Sequence, residues 1–330
     1  MKKVIFALAA VVALAACSNE QTIIADKGTA IGFDTFVENS TRATDPSLTV
    51  ETMKTDGFGV YGFVTNGSTT APLFTNEHIK YNDNNGWHYD VKQYWIDGAT
   101  YDFAAIAPYD AYTVTSANTD GVQLSFVSDG ETDLLYAQNN GVTGPRTSDG
   151  KVGFTFKHVL SKVKFTFTNG YDATNTVIAV KNVHITNALA EGDAQLGRDT
   201  NGVTAAWTVD AANDANLDLA FDNATADNGY IAQNASEDTD KALLLIPTNN
   251  HTYVVTYTVE LYYKVDDEYE LFDTYTHTVN NFTPNFEYGK SYNVTTTITP
   301  TNIDPEAGDQ TAIEFTVDAI DEWTEATTNM

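Results

Sequence analysis

Val152-Gly153-Phe154-Thr155-Phe156 is followed, after a short break, by Val163-Lys164-Phe165-Thr166-Phe167. In both stretches large apolar residues take every second position, with Gly, Thr or Lys between them. Side chains of an extended chain alternate between its two faces, so this period of two specifies strands with one apolar and one wet face. Antiparallel sheets carry that pattern. The same style runs outward on both sides. Upstream lie strand-like segments 30–37, 58–64, 87–89, 101–107, 122–126 and 134–137. Downstream lie 177–185, 242–246, 253–263, 271–279, 292–298 and 313–317. Segments 211–219 and 159–162 carry the only helical hints, and 191–240 reads as a long irregular stretch. Asn82-Asp83-Asn84-Asn85-Gly86 reads as a turn, because Asn, Asp and Gly tolerate left-handed backbone. Many short strands separated by Gly, Asn and Asp predict an all-β chain built of β-sandwiches. The absence of a fixed-period repeat argues against solenoids and propellers.

The chain has 330 residues, enough for two domains of ordinary size. The boundary between them is expected near Lys157 to Leu160. The formal charge is −28. A general nucleic-acid binder needs a basic surface for phosphate contacts, so that class is excluded. Adhesion of the body to anionic headgroups is disfavoured for the same reason. Aromatic residues make up 12% of the chain, which separates it from disordered acidic sequences.

The first segment is an export signal. Lys2 and Lys3 precede an apolar run over residues 4–16, too short to span a bilayer. Leu14-Ala15-Ala16-Cys17 then matches a bacterial lipobox, and Cys17 is the only cysteine of the chain. The expectation is a lipoprotein signal peptide over 1–16 and an acylated Cys17, with the body held in water beside an envelope leaflet. A buried thiol or an ordinary signal cleavage site are the alternatives.

Catalytic motifs are not found. Gly57-Phe58-Gly59-Val60-Tyr61-Gly62 spells G-x-G-x-x-G, but its glycines lie inside a strand with no helix after it. The six histidines are scattered singly. Asp266-Asp267-Glu268 with Glu270 reads as a solvated acidic hairpin rather than a Ca²⁺ site. The 82–86 turn lacks the Glu that closes an EF-hand loop. No carboxylate pair stands out for glycoside hydrolysis. The expectation is therefore no enzyme, no metal and no cofactor. Of Trp87, Trp95, Trp207 and Trp323, most are expected in cores, and Trp207 is the best candidate for an exposed ligand contact.

Several features occur in a distinctive order. Cys17 is followed by a short strand whose Ile31, Phe33, Thr35 and Val37 share one face, then by Ser40-Thr41-Arg42-Ala43. Tyr94-Trp95, Tyr101-Asp102-Phe103 and Ala107-Pro108 come next, then Phe154-Thr155-Phe156-Lys157-His158-Val159-Leu160-Ser161-Lys162-Val163. Leu243-Leu244-Leu245-Ile246-Pro247, Tyr288-Gly289-Lys290-Ser291-Tyr292 and Ile313-Glu314-Phe315-Thr316-Val317 complete the series. This order resembles the fimbrillin family of Bacteroidales, the subunits of type V pili. The resemblance implies two tandem transthyretin-like β-sandwiches, taken here as 43–157 and 158–330. It implies an outer-membrane lipoprotein precursor, anchored by lipid and carried to the cell surface. It further implies an Arg-specific protease that cuts at Arg42-Ala43 and frees the leader 17–42 with its strand.

Loss of a strand would leave unpaired backbone groups and an apolar groove, which is a template for another chain. A strand from the next subunit could fill it and build a head-to-tail filament. The implied partners are other pilus subunits, the protease, and a host or bacterial surface ligand. Residues 324–330 follow Trp323, so the 313–317 region is either the donor strand or this is a terminal subunit. The competing reading is a surface lipoprotein that does not polymerise and binds glycan.

Overall fold

The computed structural model describes residues 28–37, 49–144, 150–173, 175–209, 216–304 and 311–322. Cys17, Arg42, Ala43 and Trp323 lie outside them. The chain is all-β, with several sheets packed face to face as in β-sandwiches.

The stretch that begins at Val152 forms β9 (Lys151–His158), and the one that begins at Val163 forms β10 (Ser161–Asn169). They belong to different sheets. β9 sits in a seven-stranded sheet with β1 (Gly32–Val37), β8 (Leu135–Thr143), β5 (Thr100–Ala107), β2 (Phe58–Asn66), β3 (Thr69–Asn82) and β4 (Gly86–His88). Their spatial order is β1-β9-β8-β5-β2-β3-β4. A second sheet has the order β13-β12-β7-β6, from β6 (Tyr112–Asn118), β7 (Gly121–Val127), β12 (Glu191–Asp199) and β13 (Gly202–Thr208). The third sheet runs β14-β11-β17-β18, from β11 (Thr176–Leu189), β14 (Asn216–Ala224), β17 (Tyr253–Val265) and β18 (Glu268–Phe282). The fourth holds β15 (Ser236–Asp238), β10, β19 (Lys290–Ile298) and β20 (Thr316–Glu322), with β16 (Leu243–Leu245) also paired to β10.

Three cores follow from this stacking. Phe33, Phe58, Tyr101, Phe103, Phe154 and Phe156 fill the first, on one face of the seven-stranded sheet. The opposite face of that sheet packs on the second sheet, through Ile106 and Tyr136 against Leu124, Phe126 and Leu196. The third core lies between the third and fourth sheets and is built on Phe165, Phe167, Tyr257 and Val294. β5 is buried on both faces: Tyr101, Phe103, Ala105 and Ala107 enter the first core, and Ala104 and Ile106 the second. That is why 101–107 reads as a nearly continuous apolar run.

The glycines of the G-x-G-x-x-G string serve packing. A Cβ on Gly59 would stand 2.4 Å from the Tyr112 hydroxyl, and one on Gly62 would stand 2.7 Å from the Phe74 ring. Gly57 ends helix α1 (Val50–Asp56) at φ 72°, a conformation glycine adopts freely. Thr49 opens that helix by accepting a hydrogen bond from the Thr52 amide, and Met53 anchors it in the first core. A second short helix, α2 (Pro300–Ile303), follows β19. Asp266 and Asp267 have φ of 48° and 70° and make the two-residue turn between β17 and β18.

Several expectations are corrected. Residues 216–219, expected as helix, begin β14, where Leu219 and Phe221 enter the third core. Residues 159–162 are not helical either: Val159 and Leu160 are buried at a chain crossing, and β10 starts at Ser161. The stretch 191–240 is not irregular, since it contains β12, β13, β14 and β15. Its first hairpin buries Gly192, Ala194 and Leu196, small residues that give a weak alternation signal. At the C-terminal end the strand is β20, so only Thr316 and Val317 of 313–317 are extended in a ladder. Ile313, Phe315 and Val317 pack against the third core. The chain passes from the seven-stranded sheet to the fourth sheet between His158 and Ser161. β12 later returns to pair with β7 of the earlier half, from Glu191 opposite Val127 to Gly197 opposite Gly121.

Candidate functional site

Strand β1 combines a deep anchor with a weak attachment. It forms an edge of the seven-stranded sheet and runs parallel to β9, from Gly32 opposite Lys151 to Val37 opposite Phe156. No local hairpin ties it to that neighbour. β9 is its only strand partner among the described residues.

Ile31, Phe33 and Thr35 share the buried face, with exposures of 1%, 2% and 7%. Val37 lies in the strand, with its side chain outside the described set. The Phe33 ring meets Phe74 at 5.5 Å, Phe154 at 5.7 Å, Tyr89 at 5.8 Å and Phe103 at 5.9 Å. On the outer face the Asp34 carboxylate pairs with Lys151 Nζ at 3.2 Å.

A second element grips the start of the strand. Segment 89–95 crosses beside residues 29–31. The Ile31 amide donates to the Gln93 carbonyl at 2.8 Å, and the Trp95 amide donates to the Thr29 carbonyl at 3.1 Å. The buried Tyr89 hydroxyl donates to the Ile31 carbonyl at 2.7 Å and accepts from the Gln93 amide at 3.1 Å. Trp95 Nε1 and the Gly32 amide both donate to the Gly150 carbonyl, each at 3.0 Å. The clasp therefore holds residues 29–31, while 32–37 depend on β9 and on side-chain burial. Tyr94-Trp95 was visible in the sequence; its pairing with residues 28–31, some sixty positions away, was not.

One polar atom is out of place in this otherwise apolar contact. Thr35 Oγ1 is buried and has no hydrogen-bond partner among the described residues. A buried hydroxyl without a partner costs about 1–3 kcal/mol. Thr35→Val keeps the shape and removes the hydroxyl, so it is expected to stabilise the first core by about 1 kcal/mol. Thermal unfolding of the two chains, followed by tryptophan fluorescence, checks this. A lower melting temperature for the valine chain would show that the hydroxyl is satisfied.

The remaining sequence candidates are dispersed. Trp207 lies in β13 rather than in an irregular loop. It is half-buried, its Nε1 donates to the Val159 carbonyl at 2.8 Å, and its ring meets Phe126 at 6.3 Å. Trp87 and Trp95 belong to the first core. Sequence reading missed the pairing of His158 with Asp133, whose Nδ1 and Oδ2 atoms are 2.6 Å apart in a nearly solvent-free site. His184 pairs with Asp218 at 2.7 Å, and His78 stacks on Tyr109 at 3.7 Å. Among the described residues no three His, Cys, Asp or Glu side chains converge to hold a metal ion. No helix among them is long and apolar enough to cross a membrane.

His277 in β18 is half-buried, and its Nε2 has no hydrogen-bond partner among the described residues. Burial lowers its pKa, so the fold favours the neutral ring. In the unfolded chain the ring binds its proton near the ordinary value of about 6.5. Stability is then full above that value and falls as pH drops through it toward the lowered folded value. His277→Phe should shrink the loss of melting temperature between about pH 7.5 and 5.5. An unchanged loss would place the acid sensitivity elsewhere.

Comparison with known proteins gives these features a family. The fimbrillin-like family model matches residues 41–323, so the chain belongs to that family. The match begins just after the segment that holds β1. Among solved structures, a fimbrial protein from Bacteroides vulgatus is similar, at 19% identity and a TM-score of 0.59, over 90% of this chain and 100% of that one. A candidate cell-adhesion protein from Bacteroides ovatus is similar at 16% identity and a TM-score of 0.50, over 91% and 99%. At these identities the likeness is one of fold. A comparison with curated proteins finds no match.

Proposed function

We propose that the protein is a structural and adhesive subunit of a surface pilus. It is exported as a lipoprotein acylated at Cys17, matured by cleavage at Arg42-Ala43, and polymerised by strand exchange. The partners of this route are an Arg-specific protease and further subunits. The precursor sits at the outer membrane, and the mature subunit sits in the fibre. The body comprises two sandwich units that meet near Lys157 to Leu160.

The observation that carries this reading is the attachment of β1. Phe33 is surrounded by four rings of the first core. Yet the strand joins the body through 38–49, the segment that contains Arg42. A cut there turns an intramolecular strand into a bound peptide, and the effective concentration that kept it in place disappears. The vacated edge of β9 and the apolar slot beside it can accept a strand from another subunit. The C-terminal strand supplies a donor candidate. β20 pairs only with β19 among the described residues, and Phe315 just before it reaches Phe282 at 5.3 Å and Phe165 at 5.6 Å.

The test is digestion of the lipid-free chain with an Arg-specific protease, followed by an unheated denaturing gel. The expected result is a ladder of multimers that collapses on boiling. Loss of residues up to 42 with the body still monomeric at high concentration would overturn self-polymerisation. Replacement of Cys17 by Ser should separately remove acyl label and membrane association.

A further inference from the structure

A cleft of about 990 Å³ opens where the second, third and fourth sheets meet. Its walls are the free edge of β13, the segment 247–251, the segment 285–290 and the end of β9 at Lys157 and His158. This volume lies at the upper end of the range for small-molecule sites, about 300–1,000 Å³, so it holds more than a single sugar-sized ring.

The cleft is held open by backbone bonds. The Phe286 amide donates to the Thr248 carbonyl at 3.0 Å and joins the two loop walls. The Gly289 amide donates to the Leu160 carbonyl at 2.8 Å. Trp207 lines the cleft with its ring fixed by the hydrogen bond to Val159. Groups held in this way lose little freedom when a ligand arrives.

The lining is rich in uncommitted amides and hydroxyls. The side chains of Asn201, Thr204, Asn249, Asn250 and Tyr288 all line the cleft and have no hydrogen-bond partner among the described residues. Charges balance: Lys157 and Lys290 stand against Asp199 and Glu287, and Lys290 is ion-paired to Glu287. A balanced cleft in a chain of charge −28 gives no preference for an anion. Strand addition along β13 would need alternating apolar pockets on the opposite wall. That wall is instead Pro247, Thr248, Asn249, Asn250 and His251, with Asn285 to Lys290. Amides and hydroxyls in hydrogen-bonding positions beside aromatic rings suit the alternating hydroxyl and C–H faces of a sugar.

We propose that this cleft binds a neutral oligosaccharide, with Trp207 and Tyr288 as ring contacts and Asn249 and Asn250 as hydrogen-bonding groups. No residue of β1 lines the cleft, which takes from β9 only Lys157 and His158, beyond the last β1 pair at Val37 and Phe156, so the proposal does not rest on strand exchange.

The test uses the lipid-free Arg42→Ala chain on an array that carries neutral, sialylated and sulfated glycans. Retention of neutral oligosaccharides is expected, with sulfated ones unbound. Asn249 and Asn250 are exposed, so the double variant N249A/N250A should keep its melting temperature and lose roughly tenfold or more in affinity. Trp207→Phe, which keeps a ring and removes Nε1, should weaken the same glycans. No neutral glycan bound at about millimolar concentration overturns the proposal, as does binding indifferent to both variants or confined to anionic glycans. Concentration-dependent self-association that the double variant abolishes would assign the cleft to a second copy of the chain and also overturn it.

Discussion

An Arg42→Ala chain is expected to remain monomeric under Arg-specific digestion that converts the parent chain into multimers with Ala43 as the new N-terminus. The sequence contains three arginines, Arg42, Arg146 and Arg198, and their settings differ. Arg198 lies in β12, opposite Val203 of β13, and its Nη1 donates to the Gln138 carbonyl at 3.0 Å. A protease needs its substrate extended and free to pair, which a strand held in a sheet is not. Arg146 falls between β8 and β9, so a cut there leaves β1 covalently joined to the body. Only cleavage at Arg42 separates β1 from everything that follows. N-terminal sequencing distinguishes the sites, since Ala43 reports one and Thr147 the other. Arg42→Lys sharpens the test: it keeps the charge, should resist an Arg-specific enzyme, and should restore both cutting and multimers when trypsin is used. Multimers from the Arg42→Ala chain under Arg-specific digestion would sever polymerisation from this cleavage and defeat the maturation route.

The all-β fold was legible because its signal is local. Every second residue of β9 and β10 is large and apolar, and the pleat turns that period directly into a buried face. β12 and β13 were missed for the converse reason: Gly192, Ala194 and Ala205 pack closely but carry little apolar surface. β14 was misread because Ala211, Ala212 and Leu217 imitate a helical stripe, while Leu219 and Phe221 reveal their face only against the third core. The candidate site was half legible. The period of Ile31, Phe33 and Thr35 announced a buried face. The parallel partner Lys151–His158 and the clasp at 89–95 are non-local pairings that no window along the chain contains. The cleft beside Trp207 is still less visible, since its walls come from four separate parts of the sequence.

Phe33→Ala is expected to destabilise the first core by about 3–5 kcal/mol, the usual cost of truncating a buried phenylalanine. The upper part of that range is favoured by the setting. The ring is 2% exposed and stands between Phe74, Tyr89, Phe103 and Phe154, so its loss also removes edge and stacked ring contacts worth about 0.5–1.5 kcal/mol each. Trp87 and Trp95 report on this region, and the third core shares no residue with it. A fluorescence transition from the first core should therefore move to lower denaturant, and the hydrogen-exchange protection of third-core amides should stay in place. The same substitution has a second consequence after cleavage. If β1 must leave before another strand enters, weakening its anchor by about 3–5 kcal/mol speeds departure by roughly two to three and a half powers of ten, at 1.4 kcal/mol per tenfold. Asp34→Ala is the matched control, because its ion pair with Lys151 is on the outer face and such pairs are worth about 0–1 kcal/mol. Release of a labelled β1 peptide from the cut chain, measured for all three proteins, decides the matter. Fast release from the Phe33→Ala chain with correspondingly fast multimer growth makes β1 departure the controlling step. Fast release with unchanged growth would show that the incoming strand docks elsewhere, and the slot beside β9 would lose its role in assembly.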